Sequence, residues 1–238
     1  MQTSIFIDRD TRGKSKLLNV LKMRQWLYYF LGYCFFHSHN RETFHQHFEL
    51  DLLLQVAEEM PQFREAVNLI ISGLPDFQNW DETKWKQIHS EHQRLFIGPD
   101  QLAAPPWASV YLGEEKIIFD EHTLKVRSFY RSWGLESVEL KRIPDDHIGL
   151  ELEFMSALVG KAIDFLDQGQ LSEANKALMA QDQFLNEHVL TWVKDYCFLL
   201  SRASTHPLYQ GLALFTPLFL ELDKEVLEEI KISLEDLW

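Results

Sequence analysis

From Arg94 to Gly113 the chain reads RLFIGPDQLAAPPWASVYLG, and a fold built on this sequence cannot run one helix through it. Pro99, Pro105 and Pro106 are three of the eight prolines in the chain, and Gly98 and Gly113 flank them. Proline has no backbone donor and drives the residue before it out of the α region, so the whole stretch is expected to be irregular. It is no polar linker, since it carries Leu95, Phe96, Leu102, Trp107, Val110 and Tyr111. A stiff loop this apolar must pack on something. It either plugs the core or walls a binding groove, and these residues alone leave both open.

The rest of the chain has helical periodicity. Residues 1–13 are polar and are expected to form a mobile N-terminal segment. Residues 14–238 are expected to form one all-α, many-helix bundle. Lys14–Phe36 should be a core helix, because its apolar run Trp26–Phe36 is eleven residues long, too short to cross a bilayer. Further helices are expected at Phe44–Met60, at Gln62–Ser72, and after Asp81, where Trp85, Ile88, His92 and Leu95 share a face. More follow at Thr123–Trp133 with Gly134 as cap, and after Pro144-Asp145-Asp146-His147, with the stripe Ile148, Leu152, Met155, Val159, Ile163. The last four are expected at Ser172–Met179, Gln183–Ser201, His206–Phe219 and Asp223–Ile232. Val110–Leu112 and Ile117–Phe119 are the only strand-like fragments.

A net charge of −13 disfavours phosphate backbones, so nucleic acid is not expected as a partner. It suits a basic peptide, although acidity can also serve solubility alone. The two cysteines, Cys34 and Cys197, lie in apolar runs and read as free buried thiols in a reducing compartment. Ten histidines, four of them at 37, 39, 45 and 47, raise the alternative of a metal-dependent hydrolase. The helical His-Glu-x-x-His motif is missing, as are the phosphate-loop and nucleophile-elbow motifs, so no catalytic residue, metal or cofactor is assigned. A helical subunit of a larger complex is the other alternative. Ser109 reads as a turn hydroxyl. Asp145 and Asp146 read first as cap and helix-start acid of the following helix; a surplus carboxylate could instead take a guanidinium. His147 beside them should stay neutral and accept hydrogen bonds.

Three blocks, Arg94–Pro99, Pro105–Leu112 and Pro144–Gly149, occur in an order and spacing that resembles the TorD/DmsD/NarJ family of redox-enzyme maturation chaperones, closest to the DmsD branch. His206-Pro207-Leu208-Tyr209 repeats another feature of that family. The resemblance implies a TorD-like, cytoplasmic, non-catalytic protein without an integral membrane segment. Its partner would be the twin-arginine leader of a molybdopterin-containing reductase of the DMSO-reductase type, with components of the Tat translocase as further partners. The peptide-binding residues it carries over are Leu95, Phe96, Pro106, Trp107, Ser109, Tyr111, Asp146 and His147, with His92 and Asp145 as additions to the same groove. His92 stands where that branch has tryptophan, and Asp120 where it has glycine.

Overall fold

Long apolar stripes at helical spacing leave little choice but helix against helix, and the computed structural model has that architecture. It describes residues 11–37, 49–74, 81–98, 101–139 and 142–235. Ten α-helices lie among these: α1 Thr11–Phe36, α2 Leu50–Glu59, α3 Arg64–Gly73, α4 Glu82–His92, α5 Ala108–Leu112, α6 Glu121–Ser132, α7 Ile148–Asp167, α8 Leu171–Glu187, α9 Val193–Ala203 and α10 Pro207–Glu235. Short 3-10 turns, Pro61–Phe63 and Val189–Thr191, precede α3 and α9. No strand occurs among the described residues, and the one bridge is between Trp107 and His147.

The centre is α7. Its stripe Ile148, Leu152, Met155, Val159 and Ile163 is buried, as its spacing predicts. It packs chiefly on α1 and α8. The crossing with α1 is close because two glycines meet there. A Cβ on Gly149 would lie 2.6 Å from Phe36 Cβ, and one on Gly32 would lie 2.9 Å from Gly149 O. The α1 core run is buried as expected, with Tyr28, Phe30, Leu31, Cys34 and Phe35 inaccessible. Both cysteines are free and buried. Helix α1 is pinned to α10 by a buried ion pair, Arg24 donating to both oxygens of Asp223 at 2.6 and 2.9 Å.

Several expectations need correction. The 94–113 stretch is helical at both ends: Gln93–Ile97 continues α4 as a π-turn, and Ala108–Leu112 is α5, not a strand-like fragment. The constraints of Pro99, Pro105 and Pro106 reach one residue back, so the flanks stay free to coil. Ile117–Phe119 is loop. Helix α8 runs unbroken through Met179, and the break falls at Val189–Thr191 inside the expected Gln183–Ser201 helix. One helix, α10, replaces the two expected at its end and carries Pro217 within it. Helix α1 begins at Thr11 rather than Lys14. Residues 1–10 and 44–48, the latter belonging to the Phe44–Met60 helix, lie outside the described residues, as do His39, His45 and His47.

Candidate functional site

Asp81 starts the first half of the site by accepting from Thr83 N at 2.8 Å and capping α4. Ile88, His92 and Leu95 then face inward, with Trp85 half-buried on the same side. At the π-turn the helix widens and Gly98, at φ 75°, ends it. Phe96 packs against His92 at 4.9 Å, Tyr209 at 5.6 Å and Phe35 at 6.3 Å. Glu91 ties this turn to the distant His206–Tyr209 block. It accepts from Arg94 at 2.8 and 2.9 Å, from Thr205 N at 2.7 Å and from Ser204 Oγ at 3.1 Å. Burial works against its charge, but these donors win and hold its carboxyl at about 2.

The second half joins the proline loop to the start of α7. Ala108 N donates to Asp146 O at 3.0 Å and Ile148 N to Pro106 O at 2.9 Å, clamping Trp107 against His147. The two rings meet edge to face at 5.5 Å, and Phe36 covers His147 from the other side at 5.2 Å. His147, not either aspartate, caps α7: its Nδ1 accepts from Gly149 N at 3.1 Å. Burial, with His92 adding a little, lowers its pKa to about 3, so the ring is the neutral acceptor its position predicts. Asp146 reaches across to α5 instead. Its Oδ2 accepts from Ser109 N at 2.8 Å and its Oδ1 from Thr123 Oγ1 at 2.7 Å. Asp145 pairs with Arg127 at 2.7 Å. The surplus acids at this helix start are therefore taken up inside the fold.

Of the sequence-derived site residues, Leu95, Phe96, His92, Pro106, Ser109, Asp145, Asp146 and His147 are buried, while Trp107 and Tyr111 are half-buried. They form two nests, one around Phe96 and Tyr209 and one around α5 and the α7 start, with Phe35 and Phe36 of α1 between them. Only the second reaches the surface, through Trp107 and Tyr111. Sequence reasoning missed its floor. Tyr111 lies 5.3 Å from Trp192 and 6.3 Å from Tyr196, and Trp192 Nε1 donates to Glu151 Oε2 at 3.1 Å. The signal for Glu151 was there: an acid in the first turn of the run IGLELEFM, which is otherwise buried almost throughout.

The sequence profile of the family described as nitrate reductase delta subunit matches residues 52–197, more than half of the chain. The chain belongs to that family. The matched part of this delta-subunit relative holds α5, Asp146, Glu151, Trp192 and Tyr196; α1 and α10 lie outside it. The chain is similar to the chaperone protein TorD of Aliivibrio salmonicida, 26% identical over 87% of this chain and 95% of that one. It is also similar to the probable Tat proofreading chaperone DmsD of Haemophilus influenzae, 35% identical over 55% of this chain and 57% of that protein. The Tat proofreading chaperone DmsD of Salmonella typhi is 32% identical over 53% and 58%. A solved chain from Archaeoglobus fulgidus, described as a redox enzyme maturation protein, overlaps 95% of this chain and 99% of its own at 17% identity with a TM-score of 0.46.

Proposed function

We propose that this chain is a system-specific chaperone of redox-enzyme maturation. It would bind, in the cytoplasm, the twin-arginine leader of a molybdopterin-containing oxidoreductase of the DMSO-reductase type and hold it until the cofactor is loaded. The observation that carries this reading is the half-buried pair Trp107 and Tyr111, whose indole Nε1 and phenol OH have no hydrogen-bond partner among the described residues. The turn that bears them is fixed from behind by Asp146. Aromatic faces held this way bind an apolar peptide with little ordering cost on the protein side. The names of the relatives, chaperone protein TorD and Tat proofreading chaperone DmsD, support the same reading.

The surroundings suit a leader. Ile117, Ile118 and Phe119 are each about half exposed beyond α5, between Glu114-Glu115 and Asp120-Glu121. Phe119 is held at φ 73°, a costly conformation for a bulky residue, with Arg127 over its ring at 5.3 Å. Apolar surface bordered by acids fits a peptide that joins an apolar segment to two arginines. No helix among the described residues is long and apolar enough to cross a membrane. The test is calorimetric titration with a synthetic twin-arginine leader. Wild type should bind it, and Trp107→Ala, with helicity retained, should bind about 30-fold more weakly, a loss of about 2 kcal/mol. Failure of wild type to bind any such leader would overturn the proposal.

A further inference from the structure

Beneath Trp107 and Tyr111 the fold holds polar atoms that its own contacts leave unused. Glu151 is fully buried; its Oε2 takes the Trp192 indole, and its Oε1 meets no donor among the described residues. Ser109 Oγ, Tyr111 OH and Tyr196 OH are likewise buried and without partners there. They come from α5, α7 and α9, and Trp192, which holds Glu151, packs against the Tyr111 and Tyr196 rings. Each unsatisfied buried group costs on the order of 1–3 kcal/mol, and folded proteins keep few of them. Glu151 Oε1, behind a Trp192 that packs on the half-buried Tyr111 ring, is a buried acceptor left for a group rich in donors.

We infer that Glu151 is the carboxylate that receives an arginine of the bound leader, admitted when the Tyr111 ring swings off Trp192. This rests on the leader-binding reading above and replaces Asp146 in that role. Of the neighbouring acids, Asp146 has both oxygens engaged, and Asp145, whose Oδ1 is also without a partner among the described residues, already has its charge met by Arg127. A guanidinium would supply the donor that Glu151 Oε1 lacks.

The charges facing Glu151 favour such a guest. Asp146 lies just ahead of α7, before the first turn that carries Glu151, Trp192 faces it from ahead of α9, and Tyr130 of α6 senses its charge. The buried Arg24 is committed to Asp223, and Arg127 to Asp145. Burial first, then the Asp146 charge, push Glu151 well above the usual carboxylate range, against the opposing Trp192 bond. An arriving arginine would reverse this, and the Glu151 proton would leave to the buffer as the ion pair forms.

The experiment is calorimetric titration of wild type and Glu151→Gln with the native leader and with leaders in which each arginine in turn is glutamine. Two buffers of different ionisation enthalpy report the proton. Glutamine keeps the size and an oxygen for Trp192, so thermal stability should hold. Glu151→Gln should weaken the native leader at least tenfold and make no difference to the leader lacking the arginine concerned. Wild type should release a proton on binding the native leader, and Glu151→Gln none. Equal affinities of the two proteins for the native leader, or equal losses with every leader, would overturn the inference while leaving leader binding intact. If wild type binds no leader, the proposed function falls and this assignment falls with it.

Discussion

Asp146 holds a corner together, and that determines what its loss should do. Both its oxygens accept buried hydrogen bonds, one from the backbone of α5 and one from Thr123 of α6. Removing them leaves two donors without partners, so Asp146→Ala should lower unfolding free energy by about 2–3 kcal/mol in a urea titration. Asp146→Asn can still accept from Ser109 N and should cost about half as much. An alanine variant as stable as wild type would show that the corner does not depend on this carboxylate. The sequence made the pair Asp145-Asp146 visible but not its direction. Local capping chemistry pointed both acids at α7, whereas their partners lie 37 residues back at Ser109 and 18 back at Arg127. His147 was legible in one respect, as a neutral acceptor at a helix start, because that follows from its own turn.

Among the elements, the junction of α4 with the α9–α10 turn depends on Glu91. Its folded pKa of about 2 lies below its ordinary value of 4.5. Stability from its ionised form is therefore complete above about 4.5 and is lost as pH falls toward 2. Glu91→Gln should cost about 2 kcal/mol at neutral pH, and the gap to wild type should narrow across that window. His92 and His147, lowered by burial to about 4 and about 3, weaken both proteins as pH falls below 6.5; His206, whose pKa the Glu91 charge raises against burial, is weakened more in the variant, so the narrowing is read below 4.5. A gap that stays constant down to pH 2 would refute this. The long helices were readable because one stripe of apolar residues repeats over many turns. Their breaks were less so. The interruption at Val189–Thr191 accompanies a Trp192 turned inward to Glu151 from 41 residues away, and Pro217 sits inside α10, which is pinned to α1 through Asp223. Neither contact leaves a local mark.

Across the molecule, three sequence blocks that looked like one groove became two nests. The first, around Phe96 and Tyr209, is core. The second places Trp107 and Tyr111 at the surface over Trp192, Tyr196 and Glu151. The blocks themselves were visible as departures from plain helix. The floor was not, because an aromatic residue on an amphipathic helix looks the same whether it supports a core or a site. The close α1–α7 crossing at Gly32 and Gly149 then brings Phe36 against His147 and backs the second nest. The most direct test of the central claim is hydrogen–deuterium exchange with and without a saturating twin-arginine leader. Protection should rise in residues 105–120 and 144–152 and around Trp192, and change little at the opposite face, the apolar groove between α2 and α10 lined by Val56, Met60, Phe219 and Leu222. Protection confined to that face, or none while the leader is bound, would contradict the account.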